Sequence, residues 1–225
     1  MTFSIVARCA QTGQFGVAIS SSSPAVAARC AFARAGVGAA ASQNVTNPGL
    51  GPVMLGEMAG GAAAAAAVAA AVAADRFADY RQLLAIDGAG GVAIHSGGFA
   101  LGVVGEAMGR DCVAAGNLLA DPGVPAAMVA AFEATGGALG DRLMAAMRAG
   151  LALGGEAGPV RSAGMLIVAE QAWPWADLRI DWLDEGCPIA ALGRAWEVYA
   201  PQAGDYVTRA LAPAAAPSYG VPGDE

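Results

Sequence analysis

Two stretches, Thr2-Phe3-Ser4-Ile5-Val6-Ala7-Arg8 and Phe15-Gly16-Val17-Ala18-Ile19-Ser20, flank a short polar segment that contains Thr12-Gly13. Both are rich in β-branched and aromatic residues, and the first alternates as a strand does. The Thr-Gly between them is a turn signal, so the pair predicts an antiparallel hairpin. A sheet that contains such a hairpin is not purely parallel.

Outward from the hairpin, Ser20-Ser21-Ser22-Ser23 forms a small polar elbow before Pro24. Residues 36–43 predict a third strand of very small side chains, running into the loop Asn44-Val45-Thr46-Asn47-Pro48-Gly49. Residues 51–75 predict one Ala-rich helix, weakened by Gly56, Gly60 and Gly61. Residues 81–87 and 91–95 predict a second hairpin across Asp87-Gly88-Ala89-Gly90, and residues 111–118 a short strand or loop. Two helices follow at 122–135 and 139–153, separated by Gly136-Gly137. Strands at 163–169 and 178–183 and a helix at 189–199 complete the order. Helices set apart from hairpins predict helical layers covering antiparallel sheets.

The chain has 225 residues, enough for one large core and short for two domains. We read 1–211 as a single domain and 212–225, rich in Ala, Pro, Gly and Ser, as a flexible tail. No internal repeat is present. Cys9, Cys30, Cys112 and Cys187 have no metal-ligand spacing and share the chain with one histidine. They are expected as free, mostly buried thiols, with no metal and no cofactor. The opening residues lack the basic and long apolar regions of a secretory signal. The apolar run at 58–74 is nearly all Ala and Gly, too weakly hydrophobic to favour lipid, so a cytoplasmic protein without a membrane segment is expected.

The net charge is −7 and every one of the twelve cations is arginine. Without lysine there is no P-loop Lys, no Schiff base and no Ser–Lys dyad. Without a basic footprint, nucleic acid is not an expected partner. The nucleophile that remains attractive is Thr2. Methionine aminopeptidase removes Met1 when a small residue follows, which leaves a hydroxyl and a free α-amine on one residue. An α-amine has a pKa of roughly 7.7–8.0 against about 10.4 for lysine, so it serves as a base at neutral pH.

The opening Thr2-Phe3-Ser4-Ile5-Val6-Ala7-Arg8, with Thr12-Gly13 and Phe15-Gly16-Val17-Ala18, resembles an uncharacterised family, domain of unknown function 1028. Further matches are Arg34-Ala35-Gly36-Val37-Gly38-Ala39, Ser42-Gln43 with Thr46-Asn47-Pro48, Gly116-Asn117-Leu118-Leu119 and Ala131-Phe132-Glu133-Ala134. They run in order from Thr2 to about Leu192. The resemblance implies membership of the N-terminal nucleophile (Ntn) hydrolase superfamily and an α+β fold, a four-layer αββα sandwich. It also implies amide hydrolysis, with the first strand presenting Thr2. Many Ntn hydrolases place an acidic residue and a lysine close to the nucleophile. No such pair stands near Thr2 in this sequence.

The other candidate residues follow from the chemistry. Asn117, beside Gly116, is the expected side-chain donor to an oxyanion. Gln43 and Asn47 either hold substrate or tie down their loop. Ser20, Ser21 and Ser22 end the second strand beside Thr2 and are expected to bond its amine or hydroxyl. Arg8 and Arg161 are the cations that could replace the missing lysine as electrostatic stabilisers, while neither can act as a base. His95 is the only imidazole, so any Ser/His/Asp triad must run through it, and no Gly-x-Ser-x-Gly elbow is present. Three readings result: an Ntn-type amidohydrolase of a small amide or short peptide, a non-catalytic ligand- or partner-binding protein of the same fold, and a hydrolase relying on His95. Small apolar residues and edge hairpins add the expectation of a homodimer.

Overall fold

A computed structural model describes residues 1–223. The strands are β1 (Thr2–Arg8), β2 (Phe15–Ser21), β3 (Ala31–Arg34), β4 (Gly38–Asn44), β5 (Arg81–Asp87), β6 (Val92–Ser96), β7 (Gly105–Gly109), β8 (Cys112–Asn117), β9 (Ser162–Val168) and β10 (Ala176–Ile180). The helices are α1 (Val26–Cys30), α2 (Leu50–Ala59), α3 (Ala64–Ala74), α4 (Val124–Ala134), α5 (Leu139–Ala152), α6 (Pro188–Tyr199) and α7 (Ala203–Leu211).

The strands form two sheets, one of order β10-β9-β2-β1-β8-β7 and one of order β3-β4-β5-β6. Every strand pairing is antiparallel. Phe3, Ile5 and Ala7 pack with residues of α4, α5 and α6 such as Phe132, Leu143 and Leu192. Ala40, Leu83 and Ala85 pack with Met54, Met58 and Val68 of α2 and α3. Between the sheets lie Val6, Val17, Val113 and Ala115 from one side and Ala39, Ala41, Leu84 and Ile86 from the other. Three apolar layers thus separate helix, sheet, sheet and helix, giving the αββα sandwich. Strand alternation fixes which side chains enter which layer.

The opening hairpin forms as its sequence predicts, with Thr2 opposite Ser21 and Arg8 opposite Phe15. The Ala-rich segment departs from the single helix expected at 51–75. It breaks at Gly60-Gly61, where Gly61 adopts φ +93°, and folds back as the α2–α3 hairpin. That left-handed turn is open to glycine at little cost. Strands β3 and β7, absent from the sequence reading, are edge strands, one in each sheet. Among the described residues no helix is long and apolar enough to cross a membrane. All four cysteines are free thiols.

Candidate functional site

Thr2 begins β1, a central strand flanked by β2 and β8. Its register partners are Ser21 on one side and Asn117 on the other. Thr2 shares its strand face with Ser4 and Val6, and Val6 lies in the layer between the sheets. Thr2, Ser21 and Asn117 therefore look into the inter-sheet space at one end of the sandwich, and all three are buried.

The Met1 carbonyl oxygen accepts hydrogen bonds from Thr2 Oγ1 at 2.6 Å and Ser21 Oγ at 2.5 Å. Thr2 Oγ1 itself lies 3.3 Å from Ser21 Oγ. Ser21 Oγ also contacts Ser23 Oγ at 2.8 Å and accepts from the Ser23 N–H at 3.1 Å. Arg29 Nη2, from α1, donates to Ser23 Oγ at 2.9 Å and to the Pro24 carbonyl. Because the carbonyl can only accept and takes the one hydroxyl proton of Ser21, the order is fixed: Arg29 to Ser23, Ser23 to Ser21, Ser21 to the carbonyl oxygen. A cation is thus linked to a carbonyl beside Thr2 through two hydroxyls.

A second polar chain crosses between the sheets. Ser4 Oγ donates to Gln43 Oε1 at 2.7 Å, and Gln43 Nε2 donates to Gln82 Oε1 at 2.7 Å and to the Ala115 carbonyl at 3.2 Å. Gln82 Nε2 donates to Ser96 Oγ at 2.8 Å and to the Gly116 carbonyl at 3.2 Å. The two backbone carbonyls can only accept, so both glutamine amides have one orientation. Asn117 must then offer Nδ2 to Gln82 Oε1, at 3.2 Å, which leaves its Oδ1 buried and without a partner. One of the two Asn117 Nδ2 hydrogens is thus engaged across the sheets, and its Oδ1 is an open buried acceptor.

The acidic residue not anticipated near Thr2 is Glu156. Gly154 and Gly155, at φ +102° and +60°, turn the chain sharply after α5. A Cβ on Gly155 would lie 3.1 Å from the Phe3 ring, so the turn packs tightly on β1. The segment then bridges to Leu119 just beyond β8, with the Ala157 N–H on the Leu118 carbonyl at 2.9 Å. Glu156 is 3% exposed; its Oε2 accepts from the Ser22 N–H at 3.0 Å, while its Oε1 is buried with no partner. Burial pushes its carboxyl up to about 7, against the opposing pull of the chain's terminal ammonium and of Ser22. The only sequence signal for it is an acid set inside Gly154-Gly155-Glu156-Ala157-Gly158, which by itself reads as a loop.

The remaining expectations separate. Ser20 is opposite Phe3, hence on the helix-facing side, and donates to the Ser162 carbonyl at 3.0 Å. Ser22 acts through its backbone on Glu156. Asn47 Nδ2 donates to Asp75 Oδ2 at 3.2 Å, beside the ion pair of Arg81 Nε and Asp75 Oδ2 at 2.8 Å, and Arg81 also bonds the Val45 carbonyl. Asn47 thus ties down its loop. Arg8 sits at the other end of β1, six residues and roughly 20 Å from Thr2. It pairs with Asp111 at 3.0 Å and bonds the Gly88 carbonyl. The Arg161 N–H donates to the Ser21 carbonyl at 2.9 Å, but its guanidinium is spent on the carbonyls of Leu183 and Asp184. Neither guanidinium is directed at Thr2; the arginine linked by hydrogen bonds to the Thr2 end of the sheet is Arg29. His95 pairs with Leu83, faces α2 and α3, and contacts the Ala78 carbonyl through Nε2 at 3.1 Å. It lies on the far side of its sheet from Thr2, so the two do not share a site. An open cleft lined by Thr12, Gln14 and Trp175 lies at the turn end of β1, away from Thr2.

The model of a family of unknown function, DUF1028, matches residues 2–192. The crystal structure of a protein of that family from Silicibacter pomeroyi superposes with a TM-score of 0.82 at 30% identity, covering 92% of this chain and 91% of that one. Two structures of Anbu, the ancestral beta-subunit, give weaker likenesses. The one from Yersinia bercovieri has a TM-score of 0.39 at 11% identity, covering 89% of this chain and 95% of the other. The one from Hyphomicrobium has a TM-score of 0.38 at 10% identity, covering 92% and 98%. These two carry no weight for function. No curated protein matches the chain. With its family model spanning residues 2–192 and a family structure following it over nearly all its length, the chain belongs to the family of unknown function DUF1028.

Proposed function

We propose that this protein is an N-terminal nucleophile hydrolase acting on a small amide or short peptide, with Thr2 as nucleophile once Met1 is removed. The observation that carries the reading is the setting of the Thr2 hydroxyl. It is buried at the start of a central strand and hydrogen-bonded to a carbonyl oxygen that Ser21, backed by Ser23 and Arg29, also engages.

In the processed chain the Thr2 α-amine takes the hydroxyl proton as Oγ1 attacks the substrate carbonyl carbon. The electron pair of the C=O moves to oxygen, and the Ser21 hydroxyl donates to that oxyanion as it donates to the Met1 carbonyl here. Arg29 sharpens the donation through Ser23, because charge-assisted chains polarise each member. The ammonium then returns its proton to the leaving nitrogen as the C–N bond breaks, leaving an ester on Thr2. Water, deprotonated by the same amine, hydrolyses that ester. Asn117 Oδ1, in register with Thr2, is a buried acceptor suited to orienting the amine.

The non-catalytic alternative draws on one fact: with Met1 in place the hydroxyl is covered and engaged. Turnover of amide substrates by processed protein separates the two. Thr2→Ala should abolish activity and His95→Ala should leave it within about twofold, a margin expected of a residue outside the site. Equal activity of the Thr2 variant and the parent would overturn the assignment.

A further inference from the structure

Met1 occupies a seat with three distinct walls. Its carbonyl is held by the hydroxyls of Thr2 and Ser21. Its thioether lies over Gly158, where a Cβ would come within 2.6 Å of Cε and 3.1 Å of Sδ. Its ammonium acts electrostatically on Glu156. Glu156 is enclosed yet has no ion-pair partner among the described residues, and Oε1 makes no hydrogen bond. The other unsatisfied polar atom in this region is the acceptor Asn117 Oδ1. A buried polar atom left unpaired is costly, and both Glu156 Oε1 and Asn117 Oδ1 lack a hydrogen-bond partner while Met1 is in place. Such a site is matched by a cation that carries N–H groups and mismatched to an anion.

We propose that the seat vacated by Met1 takes an aminoacyl group with a free α-ammonium, received by Glu156, its side chain lying over Gly158. The substrate class is therefore amides of α-amino acids and short peptides with an unblocked amino terminus. This rests on the Thr2 reading for its chemistry, but the recognition itself needs only Glu156 and the emptied seat. The Gly158 wall admits an unbranched apolar side chain because nothing projects from that residue. Removal of Met1 thus does two things, freeing the base and opening the place where the acyl part of the substrate sits.

The test uses full-length Thr2→Ala protein, in which the small second residue still permits Met1 removal, verified by intact mass. Calorimetric titration compares L-methioninamide with N-acetyl-L-methioninamide. The free amine should bind at least tenfold more tightly, and Glu156→Gln in the same background, checked for an unchanged circular dichroism spectrum, should erase that preference. Equal binding of the two ligands, binding of neither, or a preference that survives Glu156→Gln would each overturn the proposal. Equal binding is also the result to be seen if the residue 2 amine itself fills Glu156. Because Thr2 is absent from this protein, a failed preference counts against the seat alone, whereas turnover that survives Thr2→Ala counts against the nucleophile alone.

Discussion

Arg29 Nη2 donates to Ser23 Oγ at 2.9 Å, and through that hydroxyl the guanidinium reaches Ser21, the residue opposite Thr2. The chain of donors ends on the Met1 carbonyl oxygen, next to Thr2.

If Ser21 holds the oxyanion, Ser21→Ala should lower kcat by about 10²-fold with KM nearly unchanged, as for the loss of one oxyanion donor. Arg29→Ala removes only the polarisation and should cost roughly 3- to 10-fold in kcat, as expected when a hydrogen bond is weakened and not lost. Steady-state kinetics on the two variants checks both, and a loss confined to KM would point to substrate binding instead.

The ion pair of Arg81 with Asp75 fixes the loop that follows β4. Hydrogen bonding from Arg81 takes the Asp75 carboxyl down to about 2, from an ordinary 3.8. A lowered carboxyl contributes stability above pH 3.8 that disappears as pH falls through about 2. The shift corresponds to about 2 kcal/mol, so Asp75→Asn should destabilise by at least that much at pH 7. The gap between variant and parent in urea melts should narrow below about pH 3.

Glu156 works in the opposite sense. Burial raises its carboxyl from 4.5 to about 7, so the folded state holds the proton more tightly than the unfolded chain. Its contribution favours folding below pH 4.5 and is lost as pH rises through about 7. Glu156→Gln, which keeps an acceptor for the Ser22 N–H, should therefore raise stability by roughly 2–3 kcal/mol at pH 8 and change little at pH 4. Thermal melts at the two values check the sign. Stability given up at one buried acid is what a site retained for function would show.

The opening hairpin was legible in residues 2–20 because strand alternation and a turn signal suffice to define it, and it supplies two of the central strands, whereas the four-layer sandwich was implied by the family resemblance. The same hairpin sets Thr2 opposite Ser21, the first residue after that stretch. Strands β3 and β7 escaped notice because edge strands need only one buried face. Ala31-Phe32-Ala33-Arg34 stays partly exposed throughout, and Gly105-Glu106-Ala107-Met108-Gly109 begins and ends in glycine. Glu156 and Arg29 were missed for a different reason. Each arrives at Thr2 through tertiary folding, one by a glycine turn docked on β8 and one from a short helix. Nothing local distinguishes either from a surface charge. The orientation of the Asn117 amide could not be read locally, because it is set by Gln82, 35 residues earlier in the chain.

The most direct test of the Thr2 assignment is mass spectrometry of active, purified protein quenched during turnover of an activated ester or amide. The expected result is a peptide beginning at Thr2, without Met1, that carries the acyl group as an ester on the Thr2 hydroxyl. Active protein that retains Met1, or an acyl group found on another residue, would contradict it.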